Sequence, residues 1–486
     1  MRRALLVLLC AILLGACGSD VAQHRSLRLS ECRLPYLPTA AQCGTLQVPE
    51  DRTKPEGRKI DIFAAILPAN TVTPKDDPLV ILAGGPGQAA STLAPFAARL
   101  AELRRTRDVV LIDQRGTGRS SPLTCAAFKP SESEAFETDP RPRARECLAE
   151  LIGRDVDPAQ YTTGAWIADL EAMREALGYP RWNLWGGSYG TRVAQEYLRL
   201  HPQRVRTVTL DGVAPPGMII SLDVWRTREA ALDAIARACA DSRPCRAAHP
   251  DVRATLHDIE RSLGSAGREI DLVDPRTGTA RRAHITFDVV LGALQPLTYA
   301  PETATLLPEL LALAARGEYA PLFAANPAMS GRDVDQINAA LHFSVTCAED
   351  VPRIQPGAEQ KVLEGLPTRR LAEQTLAVCE FWPRGTVAPD FAQPVKSAVP
   401  ALIFSGGMDP VTPPANGEAV AKGLPNGRHI VAPGYGHIVS VHACAPRLIA
   451  SFVEEARSDR LSQACVDHFE KSVPPPLWPN RLAPQP

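Results

Sequence analysis

Gly186-Gly187-Ser188-Tyr189-Gly190 follows a short apolar run, residues 182–185, and opens a stretch, 190–200, whose apolar residues recur at helical spacing. A serine between a strand and a helix, flanked by glycines, stands at the tip of a sharp turn with its hydroxyl clear of the backbone. The glycines have a steric purpose, because side chains beside so tight a turn would collide. The helix that follows aims free N–H groups and the positive end of its dipole at the serine oxygen. Ser188 is therefore the candidate nucleophile.

Working outward, residues 44–48 and 59–67 read as strands of an opening hairpin, the second alternating Ile60 and Ile62 with polar partners before Pro68. Residues 79–83 and 108–112 are short continuous apolar runs, with a helical pattern over 91–103 between them. A helix over 165–177, the strand 182–185, the helix 190–200 and a strand over 207–210 continue the alternation. Such alternation implies a mostly parallel sheet with helices on both faces, an α/β class. From 215 to 394 helical patterns take over (222–239, 252–263, 287–297, 303–316) and predict a mostly helical cap insertion. The sheet pattern resumes at 401–404 and 429–431, followed by a helix over 446–457 and a Pro-rich tail over 474–486. The predicted organisation is an export signal at 1–16, a first part of the core at 17–214, the cap at 215–394 and a second part of the core at 395–486.

Two further glycine turns follow strands and carry chemistry. Ala83-Gly84-Gly85-Pro86-Gly87 is a turn without bulky side chains, where backbone N–H groups can face a substrate oxyanion. Gly85 and Tyr189 are the candidate donors, with Gly84 as the fallback to Gly85. Asp409 lies in Ser405-Gly406-Gly407-Met408-Asp409-Pro410 and His437 in Pro433-Gly434-Tyr435-Gly436-His437, each just past a strand end. The order Ser, Asp, His assigns His437 to take the Ser188 proton and Asp409 to fix its tautomer. Asp211 and His442 are the rivals for these two roles.

At 45% hydrophobic and 22% charged residues, with a formal net charge of -1, the chain has neither a nucleic-acid footprint nor a disordered composition. Arg2, Arg3 and the apolar stretch 4–16 form a leader too short to span a bilayer. It ends in Leu14-Gly15-Ala16-Cys17, which resembles a bacterial lipobox; this predicts a lipid on Cys17 and a membrane partner through that anchor. With Gly18 next, the expected location is the periplasmic face of the outer membrane or the cell surface. Twelve cysteines less Cys10 and Cys17 leave ten, an even number suited to an oxidising compartment. Sequential pairing closes short loops: Cys32 with Cys43, Cys125 with Cys147, Cys239 with Cys245, Cys347 with Cys379, Cys444 with Cys465. No cysteine and histidine spacing suggests a metal, and neither metal nor organic cofactor is expected.

Taken together, Ala83 to Gly87, Asp113-Gln114-Arg115-Gly116-Thr117-Gly118-Arg119-Ser120, the elbow at Ser188, Gly406-Gly407-Met408-Asp409-Pro410-Val411-Thr412-Pro413 and Gly434-Tyr435-Gly436-His437 resemble the proline iminopeptidase branch of the α/β hydrolases. With Cys379-Glu380-Phe381-Trp382-Pro383, the ensemble is similar to secreted tripeptidyl-aminopeptidase-like members. The resemblance implies the α/β-hydrolase fold and a serine exopeptidase acting near the free N-terminus of oligopeptides. Iminopeptidases usually have His at the position of Ala83, so proline specificity does not follow. The resemblance also implies an acidic group near Ser188 for the substrate amine, and Glu349 and Asp350 are the candidates. A carboxylesterase uses the same triad, and a catalytically inactive surface binding protein is the alternative of another class.

Overall fold

A computed structural model describes residues 26–128, 138–273, 278–325 and 337–477. The leader, Cys17 and the end of the Pro-rich tail lie outside these residues. The described strands are β1 (Ser30–Cys32), β2 (Ala41–Pro49), β3 (Lys59–Leu67), β4 (Leu79–Leu82), β5 (Val109–Ile112), β6 (Trp182–Gly187), β7 (Val205–Asp211), β8 (Arg268–Val273), β9 (Ala280–Ile285), β10 (Ala401–Gly406) and β11 (Gly427–Ala432). Nine of them make one sheet in the order β1-β2-β3-β5-β4-β6-β7-β10-β11. The first three strands and the β3–β5 pair are antiparallel, and every pairing from β5 onward to β11 is parallel.

The sheet is buried on both faces, as parallel strands joined by helical crossovers must be. In β3, Ile60, Ile62, Ala64 and Ile66 enter one core while Phe63, Ala65 and Leu67 enter the other. This is the two-residue period of a strand. The short run Leu79–Leu82 splits likewise, Val80 and Leu82 to one side, Leu79 and Ile81 to the other. Helices Thr163–Ala176 and Tyr189–Leu200 supply crossovers before and after β6.

The single helix expected over 91–103 is instead a 3-10 turn, Ala90–Leu93, a short helix, Ala94–Arg99, and a second 3-10 turn, Leu103–Arg105. Pro95 explains the late start, since a proline lacks the N–H and the room needed anywhere beyond the first helical turn. Helices Arg141–Gly153 and Gln463–Glu470 were not anticipated from the pattern. Nor was the β8–β9 hairpin, whose mixed composition buries little more than Leu272, Ala283 and Ile285.

Between β7 and β10 the chain builds a second core of its own around Leu222, Trp225, Ile259, Leu291 and Leu311. Helix Ala339–Glu349 departs from that pattern, because Leu341, Val345 and Cys347 pack into the main core with Val378, Cys379 and Trp382. Five disulfides join Cys32 to Cys43, Cys125 to Cys147, Cys239 to Cys245, Cys347 to Cys379 and Cys444 to Cys465. The Cys347–Cys379 bridge spans 32 positions and ties helix Ala339–Glu349 to the turn at Ala377–Glu380. Replacing both cysteines by alanine should lower the urea midpoint by an amount equivalent to ~3–4 kcal/mol, the loop-closure value for that separation. An unchanged midpoint would show that packing alone holds the two segments.

Candidate active site

β6 ends at Gly187, and Ser188 adopts φ 55° and ψ -125° before helix Tyr189–Leu200 begins. A side-chain-bearing residue held there stores about 1–3 kcal/mol of strain and needs surroundings that enforce it. Ser188 N donates to Asp211 O at 2.9 Å, tying the elbow to the end of β7. The helix also lies tight against the sheet. A β-carbon on Gly190 would stand 2.1 Å from Leu82 O, and one on Gly186 would stand 2.4 Å from Gly190 O. Glycine at both positions is therefore what lets the turn close.

Asp409 lies three positions past β10 and His437 five past β11, so both emerge at the same edge of the parallel sheet as Ser188. His437 Nδ1 is 2.8 Å from Asp409 Oδ2. The carboxylate is fully engaged: Oδ1 accepts from Val411 N at 2.9 Å and Thr412 N at 2.8 Å, and Oδ2 also accepts from Thr412 Oγ1 at 2.7 Å. Thr412 Oγ1 is itself 3.2 Å from His437 Nδ1. Thr412 was visible in the motif around Asp409, yet nothing in the sequence marked it as a partner of the pair.

Burial disfavours a charged imidazole, but the Asp409 charge and hydrogen bond, with Asp211 behind them, outweigh it and hold His437 above the ordinary histidine value. Burial likewise pushes Asp409 up; the charge and hydrogen bond of His437, with the bonds from Thr412, more than cancel this and leave it below the usual carboxylate value. The ring sits beside the end of β7, since a β-carbon on Gly212 would be 3.0 Å from His437 Cε1. Ser188 Oγ and the imidazole are not hydrogen-bonded to each other here. Bonds of this kind often tighten only when substrate arrives.

The rivals do other work. Asp211 accepts from Val439 N at 3.0 Å and Ser440 N at 2.6 Å, clamping the loop that carries His437. His442 packs against Tyr435, ring centroids 5.5 Å apart. The chain between β7 and β10 contributes as well: His437 N donates to Tyr299 O at 2.9 Å, and the two rings meet edge to face at 5.3 Å.

Gly84 N donates to Gln88 Oε1 at 3.0 Å, so its N–H is committed. Gly85 lines a cavity of about 270 Å³ together with Ser188 and Tyr189. Tyr189 opens its helix, where the first N–H groups have no intrahelical acceptor. A serine hydroxyl and a carboxylate-oriented imidazole, with Gly85 and Tyr189 lining the same cavity as the serine, are parts from which an acyl-transfer site can be built.

Residues 77–248 match a family described as alpha/beta hydrolase fold, and residues 368–465 match one described as TAP-like protein. The chain has the α/β-hydrolase fold. It is similar to serine protease Hip1 of Mycobacterium tuberculosis, 26% identical over 430 residues that cover 80% of each chain. It is also similar to tripeptidyl aminopeptidase of Streptomyces coelicolor, 30% identical over 222 residues, 41% of each chain. A solved proline iminopeptidase from Mycobacterium smegmatis aligns at a TM-score of 0.38 with 16% identity, covering 85% of this chain and 98% of that one.

Glu349 and Asp350 of the hydrolase do not meet the expectation that they face a substrate amine. They are 1% and 0% exposed, and neither lines the cavity. Glu349 accepts from Thr163 N at 2.6 Å and Thr163 Oγ1 at 2.8 Å, and Thr163 Oγ1 in turn meets Tyr189 Oη at 2.6 Å. Asp350 accepts from Arg192 Nη1 at 3.0 Å, Arg353 Nη2 at 3.2 Å and Ser221 N at 3.1 Å. Their lone pairs are occupied by the protein itself, which corrects the sequence-based assignment. Burial pushes Glu349 up to about 7, with Arg192 and Thr163 pulling against it. Among the described residues no group of three or more histidine, cysteine or acidic side chains is arranged to hold a metal.

Two outcomes follow from these environments. Asp409→Asn removes the charge that favours protonated His437, so the acid limb of the kcat/KM profile should move to lower pH. Turnover should meanwhile fall about 10⁴-fold; a pH-rate series on both proteins reads the two effects together. Folded Glu349 keeps its proton to about pH 7, whereas its ordinary value is 4.5, so between these limits the folded state binds more protons and stability falls as pH rises. Glu349→Gln should flatten that fall in a series of urea midpoints from pH 4 to 8, and an unaltered slope would assign it to other groups.

Proposed function

We propose that the protein is a serine exopeptidase that removes a short unit from the free N-terminus of oligopeptides. Ser188 Oγ attacks the carbonyl carbon of the scissile bond, and His437 Nε2 accepts the hydroxyl proton as the C–O bond forms. The N–H groups of Gly85 and Tyr189 receive the oxyanion, His437 returns the proton to the leaving amine, and water then hydrolyses the acyl-enzyme by the same route in reverse. The observation that carries this reading is the 2.8 Å contact between His437 Nδ1 and Asp409 Oδ2 at the sheet edge where Ser188 sits.

The peptide substrate is supported by the names of the relatives, a serine protease and a tripeptidyl aminopeptidase. A cavity of about 270 Å³, at or below the small end of the ~300–1,000 Å³ range of ligand pockets, suits a chain end better than the middle of a folded protein. Export and a lipid on Cys17 belong to the same proposal and rest on the sequence around Cys17, with the five disulfides in keeping with an oxidising compartment.

Peptidyl-coumarins with free and blocked N-termini test the proposal. The wild type should cleave the free forms and lose them on blocking, and Ser188→Ala should abolish fluorophosphonate labelling and lower turnover about a million-fold. Hydrolysis of simple esters with no amide cleavage would replace the exopeptidase by a carboxylesterase. A wild type that the probe leaves unlabelled would make the protein a binding module.

A further inference from the structure

The cavity over Ser188 is lined by one face of helix Ile220–Asp241. Ser221, Val224, Trp225 and Arg228 follow one another at intervals of three, one and three residues, the spacing of a single helical stripe. That stripe ends in a cation. An arginine side chain keeps its charge at any pH a protein tolerates, and inside a protein it normally has a carboxylate beside it. Arg115 and Arg192 obey this rule, with Asp169 at 2.6 Å and Asp350 at 3.0 Å.

Arg228 does not. Among the described residues its guanidinium has no acidic partner: Nη2 donates to Tyr299 Oη at 3.3 Å, the group lies 5.4 Å from the Trp225 ring centroid, and the buried Nε has no acceptor. Among the described residues no aspartate or glutamate lines the cavity. On the same helical face, Ser221 is 7% exposed and its Oγ is also without a partner. The charge of Arg228 reaches the catalytic end, where it opposes protonation of both His437 and His342. Arg228 and Ser221 thus line the cavity that holds Ser188, with no protein carboxylate on the guanidinium among the described residues, and the chemistry that would complement them there is an anion with planar oxygens.

We infer that Arg228 and Ser221 form a carboxylate-binding subsite, so that the substrates taken at Ser188 carry an anionic group into the cavity. This rests on the proposed exopeptidase and names its substrate class. The carboxylate has two possible sources, an acidic side chain of the unit removed or the α-carboxylate of a very short peptide, and both present the same pair of oxygens to the guanidinium.

Three matched substrate sets test the inference on the full-length protein: glutamyl against glutaminyl peptidyl-coumarins, short peptides with free against amidated C-termini, and a glutarate monoester against a butyrate ester. A charge-assisted hydrogen bond predicts a kcat/KM preference of about 10- to 100-fold for the charged member of one peptide set, and the set that shows it identifies the source. Arg228→Met should bring that ratio close to one, Arg228→Lys should keep part of it, and Arg228→Glu should invert it toward lysyl substrates. The rate of fluorophosphonate labelling reports in each variant that Ser188 is still assembled. A wild-type ratio near one in both peptide sets, or the same ratio in Arg228→Met, overturns the subsite while leaving the peptidase intact. Arg228-dependent preference for the glutarate ester with no peptide cleaved keeps the subsite and removes the peptidase.

Discussion

The structure depends on how closely one helix can approach one strand. Helix Tyr189–Leu200 touches β4 where Gly190 faces Leu82 O, at a separation that no β-carbon could share. Next to that approach Ser188 stands at a positive φ, and Tyr189, which opens the helix, lines the cavity with it. Everything else at the site is arranged around this point, since Asp211 receives Ser188 N through its carbonyl while its carboxylate holds the histidine loop. One residue therefore links the backbone of Ser188 to the backbone of the His437 loop.

Four buried acids lie within this small region, and their surroundings give them different work. Asp409 meets an imidazole and a threonine hydroxyl and stays ionised. Asp211, surrounded by backbone N–H groups, is pushed upward by its burial and serves as a clamp. Asp350 neutralises Arg192 and caps the start of the helix that bears Arg228. Glu349, with weaker charge support, braces Thr163 and through it the hydroxyl of Tyr189, a residue that lines the cavity. The same functional group is imidazole partner, loop anchor, counter-ion and brace according to which donors reach it.

The legible parts of the molecule were those whose information is local. The glycine turns at Gly186, Gly406 and Gly434 each mark a strand end within a few residues, and the alternation of β3 declares which side chains enter which core. The Ala90–Arg105 segment was misread because a periodic pattern does not register how strictly Pro95 limits a helix start. Glu349 and Asp350 were misread for a different reason. Their partner Arg192 lies 158 positions earlier than Asp350, so the saturation of these carboxylates is a tertiary fact with no local trace. Arg228 was invisible because an arginine on an amphipathic helix looks like any solvated one until its neighbours are known.

The backbone contact from Tyr299 to His437, with the edge-to-face packing of their rings, has a consequence for how such molecules can be recombined. The segment that shapes the cavity is also the backstop of His437, the proposed general base. Grafting that segment from a cousin would import a new selectivity and unsettle the imidazole in the same operation, so in this architecture recognition and turnover are not interchangeable parts.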